Sequence, residues 1–139
     1  MSNEQPSHVS EKLPYGPGSA YFVQGRVTLL EELATHNDQT WSSLAKKCGS
    51  EQELPPWKVN LDGLCDALDD SACTNPDLGI ATFVERRNEE DALLEQRYTN
   101  LPYPENQLVA LAHSLVARGI ISEKALETRL REVKQRLSE

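Results

Sequence analysis

The stretch CDALDDSAC gathers Cys65, Asp66, Asp69, Asp70 and Cys73 at the end of an expected helix. Thiolate sulfur and carboxylate oxygen together are ligands for a divalent transition metal. Cysteines eight positions apart form no standard metal knuckle, however, and no histidine completes the set. An acidic helix end with Cys65 packed inside is the better reading. Cys65, Asp69, Asp70 and Cys73 stand only as candidates for holding a divalent transition metal in passing, with no cofactor held stably. The three histidines, His8, His36 and His113, are far apart and none has a helical partner four positions on. His113 falls just off the apolar stripe of its segment, where a surface histidine is expected rather than a base. No glycine-rich phosphate loop follows a strand, and no serine has a strand–turn–helix setting. No catalytic residue is expected.

The elements that would position these residues are helical. Phe22, Leu29, Leu30 and Leu33 share a face, as do Val23, Val27 and Leu30, so one helix is predicted from Ser19 until it fades at His36-Asn37-Asp38. Thr40 is placed to cap a short helix with Trp41, Leu44, Ala45 and Cys48 on its inner face, stopped by Gly49. Pro55-Pro56 forces an extended link. Asn60 is placed to cap a third helix packing Leu61, Leu64, Cys65 and Leu68 inward, followed by a loop over 69–79. A longer helix is expected over 80–98, with a thin stripe of Phe83, Val84, Leu94 and Tyr98 and an acidic exterior.

Pro102 and Pro104 close that helix and open the clearest signal in the chain, a helical hairpin. Leu108, Leu111, Ala112, Leu115 and Val116 form one stripe, and Gly119 suits a left-handed C′ position. Ser122 then caps a last helix in which Leu126, Leu130, Val133 and Leu137 recur at 4-3-4 spacing. The class is all-α: a single small domain of about five helices over 19–139, preceded by an extended or disordered arm over 1–18.

Composition bounds the function. The net charge is −8, and residues 61–100 alone carry three basic and ten acidic groups. Such a surface cannot replace the counterions of a phosphate backbone, which argues against nucleic acid. No run approaches the roughly 18 apolar residues of a membrane span, so no membrane role is expected. Three cysteines without a CxxC pair fit a reducing compartment, and a cytoplasmic location is expected. Cys48 and Cys65 extend apolar stripes, as small core residues do.

Two blocks of the sequence resemble one family. FVQGRVTLLEEL from Phe22, followed by Thr40-Trp41, is similar to the helical N-terminal portion of nitrile hydratase β subunits. There an aromatic-x-x-Gly-Arg turn opens a helix and a Ser/Thr-Trp pair follows about sixteen residues after the Gly; Gly25, Arg26 and Trp41 keep that spacing. The final segment resembles the same family, with Tyr103, Leu108, Leu115-Val116, Gly119, Ile120-Ile121, Ser122-Glu123 and Arg129 in the family's order. The two blocks cover about 80 residues. The family includes nitrile hydratase β subunits, the short β subunit of thiocyanate hydrolase and small activators of both enzymes.

The departures choose among these. The enzymatic subunits place a tyrosine pair and His-Trp where this chain has Tyr103-Pro104-Glu105-Asn106-Gln107. They also carry an arginine that reaches the oxidised metal–cysteine site, where Lys46 falls here; lysine lacks arginine's planar donor fork. The sequence given ends at Glu139, without the β-barrel domain of the larger subunits. The resemblance therefore implies a non-catalytic activator, metallochaperone-like, that binds the metal-bearing α-type subunit and assists cobalt or iron insertion and cysteine oxidation. The alternatives are a short structural β subunit and an unrelated helical adaptor. The docking residues this implies are Gly25, Arg26, Trp41, Lys46, Tyr98, Tyr103, Leu108, Leu111 and Leu115.

Overall fold

A computed structural model describes residues 19–138, and the expected arm over 1–18 lies outside them. The described residues are all-α: α1 (Ser19–Gln24), α2 (Thr28–Leu33), α3 (Trp41–Cys48), α4 (Lys58–Thr74), α5 (Phe83–Gln96), α6 (Glu105–Ala117) and α7 (Glu123–Ser138). Short 3₁₀ turns over Asn37–Gln39 and Pro76–Leu78 lie in the connections.

The single helix expected from Ser19 is broken in two. Its first segment ends because side chains from elsewhere take its terminal carbonyls. His113 Nε2 lies 2.9 Å from the Phe22 oxygen and Arg97 Nε donates to the Val23 oxygen at 2.8 Å, while a second Arg97 nitrogen reaches Gln24. Orphan carbonyls at a helix end need such partners when buried. After the bend at Gly25, α2 starts with its Leu29 amide donating to Glu123 at 2.9 Å, a carboxylate 94 positions away.

The same device starts α3. Thr40, expected as its cap, makes no side-chain cap bond, and the Trp41 amide donates instead to Glu105 at the head of α6. Gly49 ends α3 in the left-handed region at φ 77°, as expected. Of the expected inner face of α3, Ala45 is buried, whereas Leu44 and Cys48 are exposed. α4 begins at Lys58 rather than at Asn60 and continues through Thr74, so most of the expected loop is helix. Leu64, expected inward, is exposed. α5 starts later than expected, at Phe83, where Thr82 and Glu85 form a reciprocal capping box. This puts Phe83 and Val84 in the exposed first turn instead of the core.

The core has two parts joined by α6. On one side Val23, Val27, Leu30, Ala92, Leu93, Tyr98 and Ala110 bring α1, α2 and α5 onto α6, with Leu126 of α7 packed against them. On the other, Leu61 and Cys65 of α4 meet Leu111, backed by Trp57, Leu68 and Leu115. α6 is thus covered on more than the one stripe its sequence shows. The hairpin end is as expected: Gly119 has φ 78°, and Ser122 accepts the Ala125 amide at 3.0 Å.

Candidate interaction surface

Because α6 is covered from two sides, its polar residues face the interior. His113, expected at the surface, is wholly buried. It bridges the Tyr98 hydroxyl at 2.7 Å and the Phe22 carbonyl, and so joins α6 to the end of α5 and to α1. A carbonyl only accepts, so Nε2 carries the proton and Nδ1 accepts from Tyr98. Burial holds the imidazole below its ordinary pKa, which keeps it neutral, and burial also pushes the Tyr98 phenol upward.

At the next residue, Ser114 donates to Glu89 at 2.7 Å, and the other oxygen of Glu89 is held by Arg118. Glu89 is 1% exposed. Arg118 also donates to the Gly79 carbonyl at 3.2 Å and stacks 4.2 Å above the Phe22 ring. On α5, Arg86 grips Asp69 of α4 through paired contacts of 2.9 and 2.8 Å. These groups are engaged with one another. The void among Cys65, Arg86, Glu89, Glu90, Gln107 and Ser114 is about 10 Å³, room for one water at most.

Of the metal candidates, Asp69 is committed to Arg86, Cys65 is buried, and Asp70 and Cys73 are exposed. Burial pushes the Cys65 thiol up, away from the thiolate a metal requires. Among the described residues no three of His, Cys, Asp and Glu converge as a metal group.

The expected docking residues separate into three sets. Tyr98 and Leu111 are core residues, since Tyr98 is sealed by its bond to His113 and Leu111 closes on Leu61 and Cys65. Leu115 is half-buried beside that second cluster. Gly25 and Arg26 are exposed beside the C-terminal end of α6, in a groove with Phe22, Val27, Val116 and Ala117. Arg26 is paired within the chain to Glu31, which raises the guanidinium pKa and lowers that of the carboxyl.

The third set lies at the other end of α6, about 20 Å away at 1.5 Å per residue. There Trp41 adjoins Glu105 and turns its indole N–H to the Gln52 carbonyl at 3.0 Å. Tyr103 is more than half exposed, with the Lys58 ammonium 5.4 Å from its ring. Leu108 is exposed on the first turns of α6 and Lys46 on α3.

No local pattern marks the long-range roles of Arg97, Glu105, Glu123, Glu89 and Arg118. A charged residue that caps a helix 60 or 90 positions away has no local period to reveal it. No helix among the described residues is long and apolar enough to cross a membrane. Comparison with family models, curated proteins and solved structures returns no match.

Proposed function

We propose that this chain is a docking protein without catalysis of its own: an activator that binds the metal-bearing α-type subunit of a nitrile hydratase or thiocyanate hydrolase and assists cobalt or iron insertion and cysteine oxidation. One observation carries the reading. The two blocks that resemble the β-subunit family fold onto each other through three long-range contacts: His113 to the Phe22 carbonyl, Glu105 to the Trp41 amide and Glu123 to the Leu29 amide. They act as one body, with Tyr103, Leu108, Lys46 and the edge of Trp41 exposed around one end of α6.

An exposed aromatic and a leucine beside lysines suit a moderate, exchangeable interface. That is what a protein needs if it must leave once maturation is complete. The internal charges are neutralised within the chain, so a partner would meet this end without first breaking them.

Co-expression with a candidate α-type subunit, followed by size exclusion and metal analysis, tests this. The expected result is a complex with raised metal content that the true β subunit displaces. Tyr103→Ala with Leu108→Glu should weaken that complex while leaving the helical circular dichroism unchanged. A complex that persists in the active enzyme would make the chain a structural β subunit. No complex with any such subunit would leave a helical adaptor of another kind.

A further inference from the structure

Beyond its root, the last helix has an apolar face that the described residues leave largely uncovered. Leu126 at the root of α7 packs against the core, and Glu123 caps α2, but no residue of α7 is buried. Leu130 is exposed, and Leu137 is 83% exposed. With Leu126 and Val133 these form a 4-3-4 stripe on a 16-residue helix. That is the seam of a left-handed coiled coil, with Leu130 and Leu137 at a and Leu126 and Val133 at d.

We propose that α7 pairs with α7 of a second copy of this chain, antiparallel, about a two-fold axis between Arg131 and Glu132. In this register Leu130 meets the second copy's Val133 and Leu126 meets its Leu137. All four residues of each helix find an apolar partner, in four layers. No other offset fills them all. The interface is isologous, as a closed dimer requires.

Charge selects the antiparallel direction. A parallel pair would set Arg129 against the partner's Lys134 twice and bring two bodies together, each from a chain of net charge −8. The antiparallel pair sets Glu127 against the partner's Lys134 twice and separates the bodies along a rod of roughly 24 Å. The opposite flank puts Arg129 across from the partner's Arg136, a repulsion lessened because Arg129 already pairs with Glu132 at 3.2 Å.

The helix also changes sign along its length. Arg129, Arg131, Lys134 and Arg136 outnumber Glu132 and make its tip basic, whereas its root opens beside a groove where Glu32, Glu123 and Glu127 outnumber Lys124. Antiparallel pairing lays the basic tip of each copy at the acidic root of the other. Because α7 is already anchored at its root, little ordering cost opposes pairing. Four layers are nonetheless fewer than a stable dimer interface usually has, so the dimer should be weak and concentration-dependent.

Sedimentation equilibrium of the full chain across a wide concentration range tests the pairing. The apparent mass should climb from 15.6 kDa towards twice that value. Leu130→Glu with Leu137→Glu should abolish the rise without changing the melting temperature of the dilute monomer, where neither side chain is buried.

Orientation is read by cross-linking in a Cys48→Ser, Cys73→Ser background. Mixing Leu126→Cys with Leu137→Cys should give the mixed disulfide in excess over either self-linked species. A chain that stays monomeric at every concentration overturns the pairing and leaves the stripe for a different protein. Self-linked species in excess would overturn the antiparallel register.

Discussion

The Tyr98 hydroxyl sits 2.7 Å from Nδ1 of His113, with the two rings edge to face at 71°. The opposite ring nitrogen holds the Phe22 carbonyl, so this buried pair fixes the end of α5 and the end of α1 to the middle of α6. Its chemistry is positional: the histidine must stay neutral to accept from tyrosine on one side and donate to a carbonyl on the other.

The first prediction follows from that neutrality. His113 has its pKa lowered from 6.5, chiefly by burial, so between the folded value and 6.5 the unfolded chain binds more protons. Stability therefore rises with pH through this window and the contribution is complete above it. Thermal melts from about pH 8 down to about pH 5 should show the melting temperature starting to fall below about pH 6.5. His113→Gln, compared with the wild type at each pH, should remove that part of the slope while lowering stability throughout.

Tyr98→Phe keeps the ring and removes only the donor. It leaves Nδ1 of a buried imidazole without a partner, at a cost of about 1–3 kcal/mol in urea denaturation. If the change were neutral, the hydroxyl would not be satisfying His113.

Glu89 and Arg118 present the sharper case. Their side chains are 2% and 8% exposed, and Glu89 also accepts from Ser114. Glu89→Gln leaves the buried guanidinium with only Glu85, at 3.9 Å, as counter-charge and should cost about 3 kcal/mol. Glu89→Gln combined with Arg118→Met should recover part of the loss, because breaking a buried pair is worse than removing it. A loss in the double variant equal to the sum of the losses from Glu89→Gln and Arg118→Met alone would show the pair to be uncoupled.

The cysteines differ by position. Cys48 and Cys73 are exposed, while Cys65 is buried with its thiol pKa raised by that burial. An aromatic disulfide reagent at neutral pH should titrate two thiols quickly and the third only in denaturant. Rapid reaction of all three would mean that α4 opens easily from α6.

The capping box at the start of α5 gives a local test. Thr82 accepts the Glu85 amide at 3.2 Å and Glu85 accepts the Thr82 amide at 3.0 Å. Thr82→Ala should lower stability by about 1 kcal/mol and Thr82→Ser by much less, measured by denaturant unfolding.

The helical class and the closing hairpin were legible because they rest on local chemistry. The 4-3-4 leucines of α7, Ser122 as its cap and the left-handed Gly119 each need only neighbours within a turn or two. Cys65 as a core residue was legible for the same reason, since it continues the Leu61–Leu68 face. His113 was not. Its place off the apolar stripe suggests the surface, yet α6 is enclosed by α1 and α5 on one side and α4 on the other. A polar residue there is retained inside because a distant carbonyl and hydroxyl meet its two nitrogens.

The break after Gln24 and the carboxylate that caps α3 were hidden for a related reason, although α3 starts at Trp41 as expected. Each is fixed by a side chain far along the sequence, and periodicity sees only near neighbours. Tyr98 and Leu111 show the same limit from the other side: as a tyrosine and a leucine on an amphipathic face, either could have docked on a partner. By itself the sequence determined the helical class, the short helix at Trp41 and the closing hairpin, because propensity, spacing and caps act within a turn. Only the tertiary structure decided which apolar faces meet inside and which, like that of α7 beyond Leu126, the described residues leave largely uncovered, because burial depends on what the rest of the chain brings against them.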